Sequence, residues 1–77
     1  MQKEELLYKL GIHIRKLREE KHLSQKDLAI SIGKDQQSIQ RLEAGKINPS
    51  FYYLYEIAGG LKITMAELLD LDAKNSL

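Results

Sequence analysis

The 77-residue chain contains no cysteine and only one proline. Without cysteine it can form neither a disulfide nor a thiolate metal site, which agrees with a reducing cytoplasm. It has no apolar run near the length of a membrane span, and its start, MQKEELLYKL, does not have the form of a signal peptide. Repeats and low-complexity blocks are also absent. We therefore expect a cytoplasmic protein without membrane association: one domain over residues 1–77, with its core between about 6 and 71 and a flexible tail at 72–77.

Patterns that carry catalysis are missing as well. We find no nucleophile with a neighbouring base, no metal-ligand spacing and no phosphate-binding loop. Ser38 could be paired with His13 or His22, but Ser38 belongs to an ordinary helical pattern and neither histidine has a second metal ligand at suitable spacing. The sequence therefore predicts neither an enzyme nor a metal or cofactor site.

The most informative stretch is QKDLAISIGKDQQSIQRLEA, residues 25–44, which predicts two short helices joined by a tight turn. Ser24 with Asp27 and, for the second helix, Asp35 are good N-caps. Gly33 and Gly45 can adopt the left-handed conformation that ends a helix. The apolar residues recur at helical spacing on one face: Leu28, Ala29, Ile32, Ile39 and Leu42.

The opposite face of the second helix is polar and contains no acid. Gln37, Arg41 and Ala44 line it, and Gln36 projects from its first turn. The major groove of B-DNA, about 12 Å wide, admits one helix, and there Gln pairs with adenine and Arg with guanine. A solvated helix face is the alternative, and this face alone leaves both interpretations open.

Two longer segments carry a family resemblance: LREEKHLSQKDLA (17–29) and IGKDQQSIQRLEAGKINPS (32–50). They resemble the lambdoid phage repressor and Cro family, also called the Xre-like regulators, over roughly residues 10–69. The resemblance implies an all-α, five-helix bundle with a helix-turn-helix at helices 2 and 3. Residues 36–44 would then be the recognition helix in the major groove of double-stranded DNA.

The interface residues follow from this resemblance and from the polar face. Base reading is expected from Gln36, Gln37 and Arg41, with Gln40 beside them. Phosphate contacts are expected from Ser38 within the helix and from four residues outside it: Gln25, Lys46, Asn48 and Tyr52. For Lys46 the alternative is a solvated loop lysine. Core packing or a stacking platform for single strands is the alternative for the tyrosines.

Residues 4–21 predict one long helix whose buried stripe contains Leu7, Leu10, Ile14 and Leu17. Arg18 borders this stripe, and Glu43 points inward from the second motif helix. In the family the matching positions form an ion pair, so the resemblance implies an Arg18–Glu43 pair. The chain departs from the family at two positions: His22 stands where glycine is usual and needs positive φ, and Lys34 stands where an apolar residue is usual.

The last two helices are predicted at residues 51–60 and 64–71. The first should bury Phe51, Leu54, Ile57, Ala58 and Leu61, leave Tyr52 and Tyr53 outside, and end at Gly59 and Gly60. The second begins with a capping box formed by Thr64 and Glu67. Its apolar residues exceed what one side can bury, so we expect a homodimer interface at Met65, Leu68, Leu69 and Leu71.

Charge is distributed unevenly. Residues 9–46 hold nine basic and five acidic residues, whereas residues 47–77 hold two basic and four acidic residues. One positive face directed at phosphate fits this asymmetry. The sequence therefore predicts a sequence-specific double-stranded DNA-binding transcriptional regulator, most simply a repressor, that binds a palindrome as a homodimer. The alternative is an antitoxin or protein-interaction module of the same fold that binds a protein partner, such as a toxin or another regulator.

Overall fold

Side-chain caps and turns with positive φ divide the chain into five helices. In the computed structural model, which describes residues 1–72, they are α1 (Lys3–Glu20), α2 (Gln25–Ser31), α3 (Gln36–Glu43), α4 (Phe51–Leu61) and α5 (Met65–Leu69). No strand occurs in these 72 residues. The predicted all-α, five-helix architecture is confirmed. Most of the predicted tail, residues 73–77, lies outside the described residues.

Side-chain oxygens begin four of the helices. Ser24 Oγ accepts a hydrogen bond from the Asp27 backbone N–H at 2.9 Å, and the Asp27 carboxylate accepts one from the Ser24 N–H. Asp35, Ser50 and Thr64 cap α3, α4 and α5 in the same way. Each cap satisfies a backbone donor that the helix itself leaves unpaired. The predicted caps and both capping boxes are confirmed.

The core draws side chains from every helix and is closed to solvent. Eleven apolar residues form it: Leu10, Ile14, Leu28, Ala29, Ile39, Leu42, Leu54, Ile57, Ala58, Leu61 and Leu68. The prediction that Phe51 belongs to this set is wrong, because its side chain is 71% exposed. Phe51 is the first residue of α4, and there the apolar stripe extends past the edge of the core.

The end of α4 also differs from the prediction. Gly59 and Gly60 do not end the helix, which continues to Leu61 and is capped by Lys62 at φ +59°. A Cβ on Gly60 would lie 2.6 Å from Ile32 Cγ2, so glycine at this position lets α4 pack closely on α2. His22, by contrast, has φ +59°, which confirms the positive φ expected there.

A second close approach positions α3. A Cβ on Gly11 of α1 would lie 2.4 Å from the carbonyl oxygen of Glu43 and 2.9 Å from that of Leu42. Only a residue without a side chain lets α1 cross the C-terminal end of α3 at this distance. Gly11 therefore helps to determine the orientation of α3 relative to α1.

Candidate nucleic-acid interface

Helix α3 is held by its inner face alone. Ile39 is fully buried and Leu42 is 1% exposed. The outer residues are all exposed: Gln36, Gln37, Gln40, Arg41 and Ala44. Within residues 1–72, the α3 side chains that hydrogen-bond other side chains are Ser38 and Glu43, so the outer amides and guanidinium retain their donors and acceptors for a ligand.

A shallow concavity of about 360 Å³ opens on this outer face. Its lining is Gln37, Gln40, Arg41, Ala44 and Lys46. Two amides, a guanidinium and an ammonium supply hydrogen-bond donors and positive charge, and no carboxylate lines the site. Such a surface accepts base edges and phosphate rather than a cation.

The predicted ion pair between Arg18 and Glu43 is present and buried. Arg18 Nε donates to Glu43 Oε2 at 2.6 Å, and Arg18 Nη2 donates to Glu43 Oε1 at 3.0 Å. Arg18 Nη1 donates to the carbonyl of Leu23 at 2.6 Å. The hydrogen bonds that Arg18 donates to Glu43 raise the pKa of Arg18 above its ordinary value, so the guanidinium stays charged. The ion pair joins α1 to the last residue of α3 and anchors α3 on its buried side.

Gln25, predicted to contact phosphate, has an inner partner that the sequence did not indicate. Its Nε2 donates to Glu43 Oε1 at 3.0 Å, so the Glu43 carboxylate connects α1, α2 and α3. The side chain is half-buried and keeps one amide hydrogen and its carbonyl oxygen. The phosphate contact stays a prediction for Gln25.

Ser38 and Tyr53 form a contact between α3 and α4 that sequence reasoning missed. Ser38 Oγ and Tyr53 Oη lie 2.6 Å apart, and both residues are half-buried. Tyr52, the tyrosine that was predicted to contact phosphate, is 67% exposed, and its ring centroid lies 6.0 Å from that of Tyr55. Fifteen positions separate Ser38 from Tyr53, so no helical spacing could indicate their pairing.

The connection from α3 to α4 carries the remaining predicted phosphate contacts. Lys46 and Asn48 are exposed, whereas Ile47 is half-buried and packs against the core. Gly45 begins the connection at φ +73°. Lys46 and Asn48 are therefore free to meet a ligand at the edge of the outer face of α3.

Comparison with known proteins agrees with this geometry. Residues 14–68 match the model of the helix-turn-helix family HTH_3. The chain belongs to this family. A curated HTH_3-type relative is the uncharacterized HTH-type transcriptional regulator y4dJ of Sinorhizobium fredii, which is 37% identical over 60 residues, or 78% of each chain. The predicted relationship to the Xre-like regulators is confirmed.

Solved structures of HTH_3-like regulators share the fold. The restriction-modification controller protein C.AhdI from Aeromonas hydrophila is 36% identical, with a TM-score of 0.79 over 82% of this chain and 96% of that one. The controller protein C.Esp1396I, solved as a tetramer with its natural 35 base-pair operator, is 30% identical, with a TM-score of 0.73 over 84% of this chain and 96% of that one. Both similarities cover more than four fifths of this chain.

Helix α5 corrects part of the predicted dimer interface. Leu68 is fully buried in the core of its own chain, so its assignment to the interface is wrong. The helix has only five residues, and Leu68 is the one that points between α1 and α4. Met65 and Leu71 are half-buried, and Leu69 is 43% exposed. The apolar surface left over is smaller than the sequence indicated.

Two further properties concern residues 1–72 as a whole. They contain no group of three or more His, Asp or Glu residues that could hold a metal ion. None of their helices combines the length and the apolar character needed to cross a membrane.

Proposed function

We propose that the protein is a sequence-specific DNA-binding transcriptional regulator, acting as a repressor, that inserts α3 into the major groove of double-stranded DNA. One observation carries the proposal: the outer face of α3 is exposed, contains amides and a guanidinium, and has no acid. A face that served only solvation would not need to exclude carboxylates. The operator complex of C.Esp1396I supports the same function for this HTH_3 chain.

Base reading falls to the exposed side chains of α3. Arg41 pairs with O6 and N7 of guanine, and Gln37 pairs with N6 and N7 of adenine. Gln36 in the first turn and Gln40 beside Arg41 reach the neighbouring base pairs. Because none of these side chains has to break an internal hydrogen bond first, binding loses only their rotational freedom.

Phosphate contacts on both sides set the register of α3 in the groove. Lys46 and Asn48 act from the connection that follows α3, and Gln25 acts from the start of α2, held in place by Glu43. Lys46 adds a positive charge that releases a counterion from DNA. Contacts of this kind orient the helix without reading sequence.

A homodimer would double the reading surface. We place its interface at Leu69, with contributions from Met65 and Leu71, at the α5 end of the molecule. Two recognition helices about 34 Å apart would read a palindromic operator. Residues 1–77 then act as one helix-turn-helix domain without catalytic activity. The protein works in the cytoplasm, where its operator lies.

Selection from a random duplex library with the purified chain tests this function. We expect enrichment of a palindromic motif, and an affinity for that motif that falls steeply as salt rises. Failure to retain any duplex at very low ionic strength would contradict the proposal. Capture of a protein partner by a chain that retains no duplex would instead favour a protein-interaction module.

A further inference from the structure

The contact between Ser38 and Tyr53 joins two hydroxyl groups at the edge of the outer face of α3. Their oxygens are 2.6 Å apart, a short distance for neutral groups. Ser38 follows Gln37 directly and lies one helical turn before Arg41, so the pair borders the surface assigned to base reading. Both residues are half-buried and neither belongs to the buried core, although Tyr53 packs against it.

Counting protons shows what this pair can do. Two hydroxyls carry two protons, and one hydrogen bond between them uses one. If Tyr53 donates to Ser38, the serine proton remains; if Ser38 donates to Tyr53, the phenol proton remains. In both arrangements the pair keeps one donor for an outside acceptor, and the internal bond polarises that donor and strengthens it.

The tyrosine ring is held on its other side. The Lys34 ammonium lies 5.5 Å from the centroid of the Tyr53 ring, and the same ammonium lies 3.5 Å from a carboxylate oxygen of Glu56. Lys34 comes from the turn between α2 and α3, and Glu56 comes from α4. Tyr53 therefore contacts α3 through its hydroxyl and the α2–α3 turn through its ring before any ligand arrives, which lowers the entropy lost on binding.

We propose that Ser38 and Tyr53 form one neutral donor site for a phosphate oxygen of the DNA backbone, and that Tyr53, not Tyr52, is the tyrosine of the interface. Tyr52 carries its hydroxyl on an exposed ring beside Tyr55, and within residues 1–72 that hydroxyl has no hydrogen-bond partner to hold it in place. The inference rests on the proposed function, since it names a contact within the same DNA interface.

The competing explanation is that the bond only fastens α4 to α3. That role would lower the stability of a variant without changing DNA affinity among folded molecules. A neutral phosphate donor makes a different prediction: affinity falls on every sequence, while the dependence on salt does not change, because no counterion is released by a hydroxyl.

The test uses Tyr53→Phe, Ser38→Ala and the double variant, with Tyr52→Phe as the matched control. Each full-length protein is titrated with a labelled mixed-sequence duplex of about 30 base pairs, a length that covers the two half-sites of a dimer, at a temperature where thermal melts show it folded. Tyr53→Phe and Ser38→Ala should each weaken binding roughly three- to tenfold. The double variant should bind more weakly than either single variant, because each single variant keeps one hydroxyl that can still donate to the phosphate and the double variant keeps none. Tyr52→Phe should bind as the wild type does.

Salt dependence supplies the second measurement. The slope of log affinity against log salt should stay at the wild-type value for Tyr53→Phe, whereas Lys46→Gln should reduce it by about one. Three outcomes would overturn the inference and leave the proposed function intact. Tyr53→Phe could bind with wild-type affinity, it could lower only the melting temperature, or DNA affinity could fall with Tyr52→Phe instead. A wild-type protein that binds no duplex would overturn both.

Discussion

Helices α3 and α5 begin with the same kind of side-chain cap, but their outer faces differ in polarity. Each has a side-chain cap that accepts a hydrogen bond from the N–H three residues later, Asp35 in α3 and Thr64 in α5. Each contributes fully buried side chains to the core, such as Ile39 and Leu68. The outer face of α3 is polar, whereas α5 leaves Leu69 exposed.

This difference teaches that the fold uses only the inner faces of both helices. An outer face of amides and guanidinium is well solvated, so it gains from a partner that offers matching acceptors, such as base pairs. Removing an exposed leucine from water is favourable, and any apolar surface can cover it. The α3 face is therefore suited to DNA, and the α5 face to a second protein chain.

The largest effect should come from the carboxylate that anchors α3, which has no counterpart in α5. Glu43→Ala leaves the buried Arg18 guanidinium without an opposite charge, and we expect it to lower the free energy of unfolding by about 3–5 kcal/mol. Replacing both residues, with Arg18→Met and Glu43→Leu, should lower it much less. Urea unfolding followed by circular dichroism measures both. Equal midpoints for the single and double variants would contradict this account of the pair.

Two glycines provide the next comparison. Gly11→Ala places a methyl group 2.4 Å from the carbonyl oxygen of Glu43 and should destabilise the protein by about 1–3 kcal/mol. Gly59→Ala meets no atom within 4 Å inside α4, and should stabilise it by about 0.5–1 kcal/mol. Thermal melts compare the two variants. A gain of similar size in both would mean that helix propensity, not the crossing of α1 over α3, sets the effect.

On the DNA side, Arg41→Ala should weaken binding to the selected operator by about 1–3 kcal/mol and relax the preference at one base position. Stability should not change, because the Arg41 side chain is exposed. Repeating the duplex selection with the variant shows which position is relaxed. A uniform loss over all sequences would make Arg41 a phosphate contact instead.

On the protein side, Leu69→Lys should weaken self-association by about 1–2 kcal/mol, because it puts a charge where an apolar surface is buried. Sedimentation velocity over a concentration series measures the change. Ile30→Lys is the matched control, since Ile30 is also an exposed apolar residue, 68% exposed, but lies on α2. Equal association of Leu69→Lys and wild type would remove α5 from the interface.

The smallest effect concerns pH and the two capping boxes. Hydrogen bonds from the backbone N–H of Ser24 and of Thr64 lower the pKa of Asp27 and of Glu67, respectively. Because the folded pKa values lie below the unfolded ones, the unfolded chain binds more protons, and stability rises with pH through this window. The contribution is complete above the unfolded value of about 4 and is lost as pH falls through the folded values.

Acid titration of the unfolding midpoint checks this expectation. The pair of substitutions Asp27→Asn and Glu67→Gln should make the loss of stability below about pH 4 shallower. Glu4→Gln is the control, because α1 begins without a side-chain cap. A control that flattens the profile as much as the pair would assign the effect to overall charge.

Much of the local structure was predictable because its causes lie within a few residues. A cap such as Ser24 or Asp35 acts on a donor three positions away, and the apolar spacing of α3 separates Ile39 and Leu42 from the polar face. The Arg18–Glu43 pair was predictable only through the family resemblance, because 25 positions separate its members.

The sequence by itself determined that this chain folds into one long helix and several short capped ones, and that one of the short helices carries an acid-free face of amides and guanidinium. The tertiary structure alone decided that Leu68 belongs to the core and Phe51 does not, that Gln25 shares the Glu43 carboxylate, and that Ser38 meets Tyr53. The physical reason is the separation in sequence between the residues that interact. Caps and helical faces follow from the spacing of neighbouring residues, whereas these contacts exist only once helices distant in sequence have been packed at particular distances and angles.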